Sequence, residues 1–146
     1  PKPNAPTMPF FPNFVMRELM AWYGALAVLG SLAGLFPWEL GEKADRLTPL
    51  FITVDPERDT PQSLAAYMKS FHPRIQALTG TADEVNAVIK AYRVYAVKVR
   101  DDTDPTRYNI DHSSFFYLMN SSGDYVKHFP HSTDANALAD ALAAAL

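Results

Sequence analysis

The chain has 146 residues, of which 48% are hydrophobic and 20% charged, with 13 Lys+Arg against 16 Asp+Glu and a formal net charge of -3. That balance excludes a disordered chain, which needs low hydrophobicity and high charge, and a generally basic nucleic-acid binder. There is no cysteine, so within these residues there is no disulfide, no thiolate metal site, no CxxC redox pair and no cysteine nucleophile.

Residues 1–12 (PKPNAPTMPFFP) contain five prolines. Proline fixes φ and removes a donor, so this segment reads as an extended arm. Asn13 is a good N-cap, and the 20 residues from Leu19 to Trp38 carry no charge. That is about the length needed to span a ~30 Å hydrocarbon core as a helix. Trp22, Tyr23 and Trp38 stand where an aromatic belt would sit. Gly30 and Gly34 form a GxxxG pattern suited to close helix packing. The pattern predicts a transmembrane helix over 13–38, ended by Pro37, followed by a junction over 39–46. Lys2 and Arg17, before the uncharged run, favour a cytoplasmic N-terminus.

From residue 47 the pattern changes to that of an α/β domain, running to 146. The run 47–54 (LTPLFITV) is short, apolar and β-branched, a buried strand stopped by Asp55-Pro56. Thr60-Pro61 supplies an N-cap and a proline at the first helical position, predicting a helix to about Phe71 with Leu64, Tyr67, Met68 and Phe71 on one face. Residues 75–79 form a short strand. Thr81 and Glu84 make a capping box for a helix carrying Val85, Val88, Ile89 and Tyr92. Residues 95–99 suggest an edge strand and 100–111 (RDDTDPTRYNID) an exposed loop. Residues 114–119 and 125–129 flank a turn at Asn120-Ser-Ser-Gly123 and form a hairpin. Thr133 or Asp134 caps a C-terminal helix. The alternation of strands and helices argues for a three-layer sheet domain.

His112 is the foremost candidate ligand, at the junction of a polar loop and a buried strand, where a side chain can be exposed yet firmly held. Asp111 is a candidate orienting carboxylate, although neighbours in a strand point to opposite faces. His128 and His131 flank Phe129-Pro130 and could reach one cation. His72, before Pro73, is expected to be exposed. Asp55, Glu57, Arg58 and Asp59 lie in a loop after a strand, where open α/β sheets gather their sites. Asp59 there would help cap the following helix. No GxGxxG, Walker A, HExxH or GxSxG occurs, and no enzyme class follows from these residues.

Residues 41–146 resemble the Sco/SenC family of copper chaperones. The resemblance rests on 50–61 (LFITVDPERDTP), Leu78-Thr-Gly80, Tyr108-Asn-Ile-Asp-His-Ser113, Phe116-Tyr-Leu118, Gly123 and Phe129. It implies a thioredoxin-like fold, a membrane-anchored domain outside the cytoplasm of a bacterial cell, and a role beside the cytochrome c oxidase subunit that carries the copper centre. In that family copper is held by two cysteines of a CxxxC motif and a histidine; the histidine matches His112. The CxxxC is absent, which implies an incomplete fold lacking its first strand–helix unit and a weak hold on Cu(I), for which imidazole does not replace two thiolates. The gap would leave a central strand edge unpaired unless residues 1–40 or a partner cover it. Residues 8–45 are similar to a transmembrane helix of the C-terminal half of a bacterial cytochrome b, without its Pro-Glu-Trp-Tyr motif or haem-ligating histidines. This second likeness implies a structural subunit of a respiratory complex, a fusion or a composite.

Overall fold

The computed structural model describes residues 24–29, 42–43, 45–104 and 106–146. In chain order they form β1 (Gly24–Leu29), β2 (Leu47–Ile52), α1 (Pro61–Met68), β3 (Gln76–Leu78), α2 (Ala82–Ala91), β4 (Ala96–Arg100), β5 (Tyr108–His112), β6 (Phe115–Met119), β7 (Tyr125–Pro130) and α3 (Ala135–Ala145).

All six residues of β2 are buried, as expected of a strand covered on both faces and paired on both edges. The main sheet runs β3-β2-β1-β6-β7. β1, β2 and β3 are parallel, and β6 and β7 are antiparallel additions. A proline inside a central strand needs a reason. Thr53 N–H donates to Leu78 O on the β3 side, so by the two-residue period Pro49 turns its missing donor to that side too. Pairing with β3 begins only at Leu50, and no ladder bond is lost.

Alternation along β6 sorts the core into two layers. Phe116 and Leu118 join Leu47, Phe51, Leu64, Leu138 and Leu142 beneath α1 and α3. Tyr117 and Met119 join Ile52, Val88, Tyr92 and Val94 beneath α2. This is the three-layer α/β architecture expected of the domain.

The helix caps follow their residue chemistry. The Thr60 hydroxyl accepts from Ser63 N–H, with Pro61 behind it. Thr81 and Glu84 close a reciprocal capping box, and Asp134 rather than Thr133 caps α3. At the end of α2 the Val94 N–H reaches Ile89 O at 2.9 Å and Arg93 takes φ 52°, a Schellman closure on a residue other than glycine. Gly123 supplies the positive φ, 81°, for the β6–β7 turn.

Two expectations are corrected. Residues 24–29 are not part of a membrane helix over 13–38: they form a strand hydrogen-bonded to β2 on one side and β6 on the other. An apolar run of small and aliphatic residues satisfies its backbone groups as well in a central strand as in a helix, and here two waiting strand edges decide. The strand expected to be missing from the domain is therefore present, and the edges of β2 and β6 are covered by the chain itself. Among the described residues no helix is long and apolar enough to cross a membrane. The Pro-rich arm, Gly30 and Gly34 lie outside the described residues. The second correction concerns the loop read over 100–111, which ends as β5, paired antiparallel with β4 from Ala96↔His112 to Arg100↔Tyr108.

Candidate functional site

The loop leaving the C-terminal end of β2 folds on its own polar groups. The Thr53 hydroxyl donates to the Asp59 carboxylate and accepts from Asp55 N–H at 2.9 Å. Asp59 N–H donates to Asp55 O at 2.9 Å. Asp59 thus serves Thr53 and leaves the capping of α1 to Thr60. Asp55 is buried, and its carboxylate is satisfied twice. Arg58 Nε donates to one oxygen, and the Tyr108 hydroxyl donates to the other at 3.0 Å.

Tyr108 begins β5, the second strand of a two-stranded sheet separate from the main one. Arg58 Nη1 donates to Tyr108 O at 2.9 Å. The Arg58 guanidinium lies 4.2 Å from the Tyr108 ring centroid and Lys98 Nζ 4.1 Å from it, both within cation–π range. Lys98 Nζ also donates to Glu57 at 2.8 Å. The hydrogen bond to Asp55, followed by that group's charge, holds Arg58 above its usual range. Tyr108 is raised too, first by desolvation and then by its hydrogen bond to Asp55.

Ile110 and His112, at two-residue intervals from Tyr108, line a cleft of about 460 Å³ together with Asp55, Arg58 and Asp59. Phe51, Leu64 and Tyr67 add apolar lining. His112 is half-buried, and its Nδ1 lies 3.2 Å from Ser113 O and 3.5 Å from Ser114 Oγ. The structure therefore brings four predicted residues together: His112, Asp55, Arg58 and Asp59. Asp111 is exposed and does not line the cleft.

The other histidines are separated. His128 packs edge-on against Phe115 with its Nδ1 on the Tyr125 hydroxyl, while His131 stacks on Phe116 at 6.1 Å. Phe115 and Phe116 face opposite layers of the sheet, so the two imidazoles cannot share one cation. His72 is half-buried rather than exposed, and its Nδ1 accepts from Arg74 N–H at 3.2 Å. Tyr108, Lys98 and Glu57 are functional neighbours that the sequence reading did not single out as a group. The alternation Tyr108, Ile110, His112 is the signal that could have found the strand.

As a copper donor set, these residues offer little. Cu(I) favours soft thiolates and thioethers, the chain has no cysteine, and His112 is a single imidazole. Among the described residues no three His, Asp or Glu side chains gather into a metal site. The donors present do not fit Cu(I).

The SCO1/SenC family profile matches residues 33–146. An SCO2-like protein of Rickettsia prowazekii is 47% identical over 83 residues, which are 57% of this chain and 40% of that protein. This chain thus spans about two fifths of the length of the first curated relatives it matches. Among solved structures, copper-bound ScoI of Arabidopsis thaliana is 30% identical with a TM-score of 0.73, covering 88% of this chain and 86% of that one. Copper-bound ScoI of Bradyrhizobium japonicum is 32% identical with the same TM-score, 0.73, covering 89% of each.

Proposed function

The chain belongs to the SCO1/SenC family, and from that premise we propose that it takes part in copper delivery during cytochrome c oxidase assembly, as an assembly factor and not an enzyme. Its partner in this reading is the oxidase subunit that carries the copper centre. His112 is its one imidazole toward copper, and without thiolates its own hold on Cu(I) is weak. The observation that carries the reading is His112 lining the cleft with Asp55, Arg58 and Asp59, residues of two family motifs far apart in sequence. We place the domain at a bacterial inner membrane, on the periplasmic side, as the family resemblance implies.

The alternative of a cytochrome b-like structural subunit needs a continuous helix from residue 13 through Gly30 and Gly34. With residues 24–29 paired between β2 and β6, that reading loses its helix.

The test is titration of the purified chain with Cu(I) in competition with a chromogenic Cu(I) chelator. The chelator is expected to keep the metal, in the parent chain and in His112→Ala alike. Tight one-to-one binding that disappears in His112→Ala would overturn the weak-binding part of the proposal.

A further inference from the structure

β4 and β5 form a sheet of their own with no strand pairing to the main sheet. Something else must fix this hairpin against the domain. Among the described residues, Tyr108 and Lys98 tie the open part of the hairpin to Asp55, Glu57 and Arg58, while His112 at the end of β5 meets Ser113 O and Ser114 Oγ beside it. The ties to the loop converge on Tyr108. Its hydroxyl donates to Asp55 at 3.0 Å and lies 3.4 Å from Glu57, its carbonyl accepts from Arg58, and its ring lies against two cations.

Tyr108 and His112 share one face of β5, four residues apart, or about 14 Å at ~3.4 Å per residue. We propose that Tyr108 is the positioning residue for His112: clamped between the 55–58 loop and Lys98, it fixes how β5 lies over the cleft, and so where the imidazole stands. The proposal rests on the reading of His112 as the residue that faces copper. The chemistry of the clamp suits this role. Asp55 is a buried acceptor that needs two donors, Arg58 supplies one of them, and the Tyr108 hydroxyl supplies the other only when the hairpin is seated. Releasing the hairpin would leave a buried carboxylate oxygen unpaired, so the seated position is favoured.

Amide hydrogen exchange measured by NMR on the metal-free full chain tests this. In Tyr108→Leu, amides of β4 and β5 are expected to exchange on the order of tenfold faster while those of β6 keep their parent rates. The His112 imidazole resonance is expected to shift, and a parent-like resonance in folded Tyr108→Leu overturns the proposal. Tyr108→Phe keeps the ring between its cations and is expected to recover part of the protection. Unchanged hairpin exchange in folded Tyr108→Leu overturns the proposal, and so does an equal loss across hairpin and main sheet. If Tyr108→Leu fails to fold, the exposed clamp residues are varied instead, as Lys98→Gln and Glu57→Gln. Parent-like hairpin protection in both would also overturn it. No metal enters this experiment, so its failure is distinct from failure of the weak-binding reading of His112, which the chelator competition decides.

Discussion

The Asp55 carboxylate accepts the Tyr108 hydroxyl at 3.0 Å across 53 positions of sequence. One oxygen of a buried acid thus joins the loop after β2 to the hairpin that carries His112. Asp55→Ala removes the acceptor for both Tyr108 and Arg58. Arg58 is half-exposed, with its side chain 51% accessible, and water rescues it, so the loss is smaller than for a fully buried pair. We expect about 1–2 kcal/mol of destabilisation by urea unfolding, with Asp55→Asn less affected. A change within error would show that the carboxylate is no structural centre.

Tyr92 is buried, and its hydroxyl finds no hydrogen-bond partner among the described residues. Tyr92→Phe removes an unsatisfied polar group without changing the ring that meets Tyr117 edge-on at 5.1 Å. Stability should be unchanged or rise by about 1 kcal/mol. Burial pushes the Tyr92 hydroxyl up to about 12, while an unfolded tyrosine ionises near 10. Because the folded value is the higher, the unfolded state loses its proton first. The Tyr92 contribution is present below pH ~10 and disappears as pH rises toward ~12. The parent should therefore lose stability more steeply than Tyr92→Phe in that alkaline window.

Local chemistry was legible where a residue acts on its own neighbours. The Thr81–Glu84 capping box, the Thr60-Pro61 helix start and the alternation of Phe116 to Met119 all carry their structure within a few positions. Asp55, Arg58, Asp59 and His112 were legible as site residues because motif and loop position marked them. Tyr108 was not, since its partners Asp55 and Lys98 come from other elements and its segment is polar enough to read as a loop. The run around residues 24–29 was misread for a different reason. Uncharged small and aliphatic residues suit a bilayer helix and a doubly covered strand equally, and the choice is made by the edges of β2 and β6, which lie far along the chain.

Glu84 accepts from Thr81 N–H at 2.8 Å and from the Thr81 hydroxyl at 3.0 Å. The backbone bond, then the side-chain bond, holds its carboxyl below the ordinary glutamate value. A folded value below the unfolded one means a contribution present above the unfolded carboxylate range and lost as pH falls through the folded value. Glu84→Gln keeps the reach to Thr81 N–H but cannot titrate. Its stability should fall less steeply than the parent's on acidification below pH ~4, read from thermal midpoints across the acid range. Parallel acid limbs would show that the capping box adds no pH dependence.

Val28 pairs with Phe51 of β2 on one side and Phe116 of β6 on the other, so its backbone sits at the centre of the five-stranded sheet. Val28→Pro removes an N–H and fixes φ in a position where the strand is paired along both edges. Such a substitution leaves a buried ladder carbonyl without its donor, at about 1–3 kcal/mol before any distortion of the strand. That is a large share of the 5–15 kcal/mol typical of a whole domain. The expected result is a strong fall in the urea midpoint, followed by far-ultraviolet circular dichroism. A helix crossing a bilayer over residues 13–38 predicts the opposite. The domain from 47 onward would then unfold at its parent midpoint, and the proline would disturb only partition into detergent. An unchanged midpoint would remove β1 from the sheet and return the unpaired edges of β2 and β6 to the fold.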